Sequence, residues 1–302
     1  MQVHINRSVL CAEHNIARWL ARRTLVLPHL PLCSSRDRPT SLHCNHHLFH
    51  KKVYRGGGVG ARSGTCEEEP LSGVPPSQRD LLFSYLDAVL VFNRHTNLTA
   101  VRDRDEAVQK HINDSLALLP AIDAQAAELS IEHLRIVDVG SGAGFPGVII
   151  AIARPHWQVT VLDSLKKRCD FVSATLQKLG VCNVDVLWGR AETAGQDPEH
   201  REKFDVAIAR AVAEMRVLSE YCLPFVRVGG ALIAAKGPSP QHEVDAAHGA
   251  ISLLGGKLLS IEAVQSYSDG ETQPRTAVTV RKVATTPSQY PRREGRPLKR
   301  PL

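Results

Sequence analysis

The run Ile136-Val137-Asp138-Val139-Gly140-Ser141-Gly142-Ala143-Gly144-Phe145-Pro146-Gly147 constrains this chain more than any other stretch. An apolar run broken by one acid leads into a dense series of glycines, which reads as a buried strand ending in a tight turn that opens a helix. Glycine is needed where the main chain takes positive φ or approaches another group closely, and a helix start presents unpaired N–H groups. The turn therefore frames a nucleotide-sized pocket.

Two ligand classes compete for it. Gly142, Gly144 and Gly147 spell G-x-G-x-x-G, and Asp163 follows Gly144 at the distance a dinucleotide-binding unit requires. Against that reading, Pro146 has no N–H to offer a pyrophosphate. Asp138 also sets a carboxylate beside the pocket, which repels a diphosphate and suits a cation. S-adenosylmethionine carries an amino cation and a sulfonium, so the order apolar-apolar-Asp-apolar-Gly-x-Gly-x-Gly favours it, with Asp163 placed to accept from both ribose hydroxyls.

The 302 residues are 43% hydrophobic, enough for a real core. Charge is unevenly spread: residues 1–66 hold ten Lys/Arg against Glu13 and Asp37, residues 281–302 hold seven against Glu294, and residues 67–280 are net −8. The Arg-rich, acid-poor leader has no steady hydrophobic period and reads as an organelle-targeting segment. Residues 1–76 are thus a transit segment and linker, the linker running from Gly56 through Pro75-Pro76. Arg22, Arg23, Pro28 and Pro31 interrupt the one apolar stretch there, so no membrane span or membrane partner is expected. Cys33, His43, Cys44, His46, His47 and His50 lack the paired spacing of a closed zinc site, and no metal is expected. An odd count of seven cysteines fits a reducing compartment.

Folding is expected from Ser77, as N-cap of a helix with Leu81, Leu82, Tyr85, Leu86, Val89, Leu90 and Phe92 on its apolar side. A second helix carries Ala107, Val108, His111, Ile112, Ser115, Leu116 and Leu119, and residues 77–132 form a helical N-terminal part. Residues 133–284 then alternate strands (134–139, 158–162, 184–187, 204–209, 230–235, 257–264, 276–283) with helices (147–153, 166–179, 213–225, 241–254). That is an α/β pattern with a parallel sheet covered on both faces. Ligands of such sheets bind at the carboxyl ends of the strands. Those ends offer Gly140, Ser141, Gly142, Gly144 and Phe145, then Asp163 and Ser164, then Ala191 and Glu192 for an adenine, and Arg210 for a carboxylate or the substrate. For Glu192 and Arg210 a solvated charge or local ion pair is an equal reading.

The segments Asn97-Leu98-Thr99-Ala100, Lys110-His111-Ile112-Asn113-Asp114-Ser115-Leu116, Asp138 to Gly147, Leu162 to Arg168 and Phe204 to Ala213 resemble, in order, the glucose-inhibited division protein B family, the ribosomal RNA small-subunit methyltransferases G. Lys236-Gly237 and the ending Tyr290 to Leu302 are similar too, the latter to Gram-positive, cyanobacterial and plastid members. Asn113 and Ala209 depart from the usual Leu and Ser. The resemblance implies a Rossmann-like class I S-adenosylmethionine-dependent methyltransferase with a mostly parallel seven-stranded sheet and an N-terminal helical extension. It also implies methyl transfer to N7 of a guanine in small-subunit ribosomal RNA; a monomer is expected, acting on the RNA free or in the small-subunit particle.

Residue chemistry agrees. N7 is an unprotonated lone pair, so no catalytic base is expected and alignment supplies much of the acceleration. Arg210-Ala211-Val212-Ala213 replaces the Asn/Asp-Pro-Pro-aromatic turn used on exocyclic amines, and Cys169 and Cys222 read as core residues rather than thiolate nucleophiles. Ribose methylation through Lys236 stays open, as do a nicotinamide oxidoreductase and a non-catalytic RNA-binding assembly factor. RNA contacts are expected from Lys110, His111, Lys166, Lys167, Arg168 and Lys236 around the pocket. Residues 285–302 are expected as an extended basic arm using Arg292, Arg293, Lys299 and Arg300, with Tyr290 to stack. Lys166 to Arg168 read equally as a solvated helix start, and His111 more simply as packing. The leader points somewhat to a mitochondrion, the tail's plastid likeness to a chloroplast, and without a transit segment the protein would be cytoplasmic.

Overall fold

The computed structural model describes residues 71, 73–268 and 271–302, with side chains of 265–274 excepted. The leader and most of the linker lie outside the described residues. Helix α1 (Pro76–Asn93) buries Leu82, Tyr85, Leu86 and Val89 at the expected spacing of three and four. Its start differs from expectation: Pro76 occupies the first turn, and the preceding Pro75 makes no side-chain cap. Proline suits that position because an N–H there would have no partner. Ser77 is therefore inside the helix.

The expected second helix is broken into three. Arg104–Ala107 is an α-helical turn capped by Asp103, Val108–Asn113 is π-helical, and Asp114–Leu116 returns to α geometry. A π turn rotates the residues after it relative to the regular period, and such turns gather at functional sites. Helix α2 (Leu119–Leu129) follows and ends at Ser130 in the left-handed region. Its alanine-rich sequence carries little periodic signal, so it adds a helix that the apolar spacing does not announce.

The sheet comprises β1 (Arg135–Val139), β2 (Gln158–Asp163), β3 (Val184–Trp188), β4 (Phe204–Arg210), β5 (Val226–Lys236), β6 (Gly256–Ser268) and β7 (Glu271–Lys282), in spatial order β3-β2-β1-β4-β5-β7-β6. The first five are parallel, whereas β7 is antiparallel to both β5 and β6. Consecutive strands joined by a short turn must pair antiparallel, so the β6–β7 hairpin enters the sheet with one strand reversed. Helices α3 (Gly147–Ala153), α4 (Lys166–Leu179), α5 (Met215–Cys222) and α6 (Gln241–Leu253) complete the α/β layers. On one face Val137, Val139, Ala207, Ala209, Leu232 and Ala234 pack with Met215 and Leu218 of α5 and Val244 and Ile251 of α6. Alternation along the strands turns Ile136, Asp138 and Ile208 to the other face. Strand order reverses direction at β1, between β2 and β4, and opens a crevice at their carboxyl ends.

The C-terminal segment is not an extended arm. Arg292 donates from its backbone N–H and its guanidinium to the fully buried Glu220, with the closest approach at 2.6 Å. Arg201 donates to the carbonyls of Tyr290 and Thr286, and Gln196 to those of Ser288 and Pro291. Tyr290 joins the core and offers no ring to a base. Polar pairing this dense over so short a stretch, much of it charge-assisted, outweighs the solvation that an exposed basic peptide would keep.

Candidate cofactor and substrate site

The glycine bend is built as the sequence demands and held from three sides. Gly140 and Ser141 donate to the Leu162 carbonyl at 2.8 and 3.0 Å, which fastens the end of β1 to β2. Gly144 takes φ +88°, and a Cβ on it would collide with the Tyr85 hydroxyl. Gly142 takes φ +61°, and its Cβ would meet nothing within 4 Å. One glycine is thus required by packing from α1, the other by turn conformation over open space. Tyr85 donates to the Ala143 carbonyl at 2.8 Å, a strut from α1 where the helix period alone shows only an apolar position. A tyrosine on an otherwise aliphatic helix stripe is the available signal, since buried hydroxyls seek partners.

Two carboxylates sit under the bend. Asp138 is fully buried: Oδ2 accepts from Gly147 N–H at 2.7 Å, while Oδ1 has no hydrogen-bond partner. Burial pushes its carboxyl up to about 7, with the Gly147 hydrogen bond and the Arg210 charge working the other way. A buried acceptor left unsatisfied costs roughly 1–3 kcal/mol and is met by a donor or cation. Asp163, at the end of β2, accepts from Gly142 N–H at 2.9 Å and Leu165 N–H at 2.8 Å, with Arg168 at 3.3 Å. Oδ2 takes both Gly142 and Arg168, and Oδ1, with Leu165 alone, keeps a further lone pair for a hydroxyl. The orphaned Asp138 oxygen, the open space over Gly142 and the carboxylate at the β2 end fit a positively charged nucleoside.

Beside the glycine bend lies a cavity of about 380 Å³ between the π-helical segment and its α continuation, the ends of β4 and β5, and the β6–β7 hairpin. His111 forms part of its wall and stacks on Phe145 with ring centroids 4.4 Å apart. Arg210 donates to the Lys110 carbonyl at 2.7 Å and reaches His111 Nδ1 at 3.4 Å. Because Arg can only donate, Nδ1 is the acceptor, and Nε2–H donates to Thr99 Oγ1 at 2.9 Å. Burial and the Arg210 charge lower His111 to about 4. It is a mostly buried residue that aligns Phe145 and Arg210, as its packing reading expects, while its ring still borders the cavity.

Other expected site residues fall as follows. Ser164 is half-buried at the crevice, where its carbonyl accepts from Trp188 Nε1. Ala191 is half-buried; Glu192 is buried and accepts Gly295 N–H at 2.9 Å, so it is no solvated surface charge. Arg210 and Lys236 line the cavity together with Lys110. Lys236 donates to the Ala213 carbonyl and to Glu243, so its ammonium is not poised as a base for a ribose hydroxyl. Lys166 and Lys167 are exposed, Lys166 pairing with Asp170, while Arg168 leans back on Asp163. Arg293, Lys299 and Arg300 are exposed, and Arg292 is committed to Glu220. Burial raises both the Cys169 and the Cys222 thiol, and neither is set up as a nucleophile.

The chain is similar in sequence to proteins of one family. Curated relatives called ribosomal RNA small subunit methyltransferase G include those of Lactobacillus delbrueckii subsp. bulgaricus, 45% identical over 75% of this chain and 92% of its own length, and Acetivibrio thermocellus, 42% identical over 74% and 89%. That of Moorella thermoacetica is 40% identical over 75% and 91%. Among solved structures, a 16S rRNA (adenine(1408)-N(1))-methyltransferase from Catenulisporales acidiphilia overlays with TM-score 0.42 at 18% identity, covering 54% of this chain and 94% of that one. The family profile described as GidB, rRNA small subunit methyltransferase G, matches residues 78–271, and the chain belongs to that family.

Proposed function

We propose that this protein transfers a methyl group from S-adenosylmethionine to N7 of a guanine in small-subunit ribosomal RNA. The observation that carries the reading is the glycine bend over Asp138, a fully buried carboxylate with one oxygen awaiting a donor. S-adenosylmethionine, when bound, supplies a methyl on cationic sulfur, so that N7 gains the carbon, sulfur keeps the bonding pair and no proton has to move. Asp138 and Asp163 would hold the amino cation and the ribose, and Gly142 leaves the room. His111 has both ring nitrogens engaged and Lys236 is held by Glu243, which suits a reaction that needs no general base.

Calorimetry should find S-adenosylhomocysteine bound and NAD ignored, with Asp163→Ala weakening the former by about tenfold or more. Transfer of labelled methyl to guanine N7 in ribosomal RNA tests turnover; NAD binding, or RNA retained without methylation, would overturn the reading. Monomeric action, on free RNA or on the small-subunit particle, is read out by sedimentation and by comparing the two substrates. The basic, acid-poor residues 1–66 favour organelle import, and the tail's likeness to plastid members favours the chloroplast over the mitochondrion. A fluorescent fusion of residues 1–76 that stays in the cytosol would refute that.

A further inference from the structure

The cavity beside the bend carries one feature that the cofactor does not use. Asp114 lies on its wall with a mostly buried side chain, at the point where the π turn gives way to α geometry. Arg275 of β7 forms an ion pair with its Oδ2 at 3.7 Å. Burial works against the Arg210 charge on the opposite side, and the Asp114 carboxylate is the leading group that offsets it. Val101, Leu118 and Val264 give the same cavity apolar cover. A space of about 380 Å³ falls within the roughly 300–1,000 Å³ of small-ligand pockets, so it admits one base turned out of its stack.

We propose that Asp114 selects guanine, its carboxylate accepting from N1–H and the 2-amino group of a base seated in this cavity between Arg210 and Arg275. Guanine alone among the four bases presents two adjacent donors on that edge; adenine has an acceptor at N1, and uracil a single donor. A guanidinium beside the carboxylate complements O6 in the same plane, as Arg210 or Arg275 can. N7 lies on the far side of the purine and stays open while the opposite edge is gripped. Methylation leaves the purine cationic, and a carboxylate against it favours that charge over the neutral base.

The inference rests on the guanine reading above, and its test separates the two. Wild type and Asp114→Asn are assayed on ribosomal RNA carrying guanosine or inosine at the position that wild type methylates; inosine lacks only the 2-amino group. Wild type is expected to lose about tenfold or more in kcat/KM on inosine, and Asp114→Asn to lose activity on guanosine while discriminating little between the two. Equal use of both bases by wild type overturns the proposal and leaves the methyltransferase reading intact; so does an unchanged preference in Asp114→Asn. Wild type that methylates no guanine N7 overturns both. Retained S-adenosylhomocysteine binding certifies that the variant is folded, and should it fail to fold, Asp114→Ser is assayed in its place with the same two outcomes.

Discussion

The glycine bend and the C-terminal segment are held by the same device at very different reach. In each, a buried carboxylate accepts backbone N–H groups of an irregular stretch: Asp138 from Gly147 and Asp163 from Gly142 in the bend, Glu220 from Arg292 and Glu192 from Gly295 in the tail. The bend's carboxylates lie 9 and 21 residues from their donors, the tail's 72 and 103. The bend's hydrogen bonds close within the single βαβ unit of β1 and β2, whereas the tail's span several further units of the sheet. The bend is thus a site closed by near neighbours in sequence, and the tail a strap held across the folded core.

Breaking the strap should produce the largest effect. Glu220→Ala strands the Arg292 guanidinium and one backbone N–H in a largely buried place, for a loss of roughly 3–5 kcal/mol in urea unfolding. A midpoint within error of wild type would mean that the tail is not anchored there. In the bend, Gly144→Ala combines a positive φ with a collision against the Tyr85 hydroxyl and Val148. It should cost about 2–3 kcal/mol and abolish S-adenosylhomocysteine binding by calorimetry; retained binding would remove α1 from the site's support.

The difference in reach also explains what the sequence reveals. Helices 147–153 and 166–179 and the starts of β2 to β4 lie where apolar period, Gly180 and Asp163 announce them. Asp138, Asp163 and the glycines are legible because each acts inside the one βαβ unit that the local pattern announces. Glu220, Glu202 and Arg201 are not: on α5 and in a loop they look like ordinary surface charges until the tail covers them. Arg292 looks like a free basic residue for the same reason. Asp114 stands inside a recognised motif, but its place beside Arg275 depends on the β6–β7 hairpin, 161 residues further along. The π turn at Val108–Asn113 has no propensity signature, so the segment reads as one regular α-helix.

Titration probes the bend from within, with two groups pulling in opposite directions. Asp138 is raised to about 7, so its contribution to stability is full at low pH and is lost as pH rises from its ordinary carboxylate range through 7. His111 is lowered to about 4, so its contribution is present above its ordinary range near 6.5 and is lost as pH falls towards 4. Between pH 4 and 6.5 the slopes oppose and wild-type stability should vary little. Asp138→Asn should unmask a rise of about 1–2 kcal/mol from pH 4.5 to 6.5, and His111→Asn a fall of similar size. The same slope in both variants would exclude this pairing.

The smallest effect on stability sharpens the contrast within the tail itself. Arg292 and Arg293 are neighbours in sequence, yet one is locked to Glu220 and the other is exposed along with Lys299 and Arg300. Replacing Arg293, Lys299 and Arg300 together with Ala should leave the urea midpoint within about 0.5 kcal/mol, because exposed charges contribute little to folding. The body of the protein is net negative, so phosphate must be met by local patches, and these three charges lie on a segment fixed in place by the strap. The triple variant should therefore weaken RNA binding and flatten its dependence on log salt by about two units, at about 0.7 for each phosphate of single-stranded RNA that the protein no longer neutralises. Arg292→Ala should do the reverse, destabilising the fold with little change in the salt slope, because its guanidinium is already paired with Glu220. An unchanged salt slope in the folded triple variant would move the RNA path away from the tail, to the exposed Lys166 and Lys167 at the mouth of the crevice.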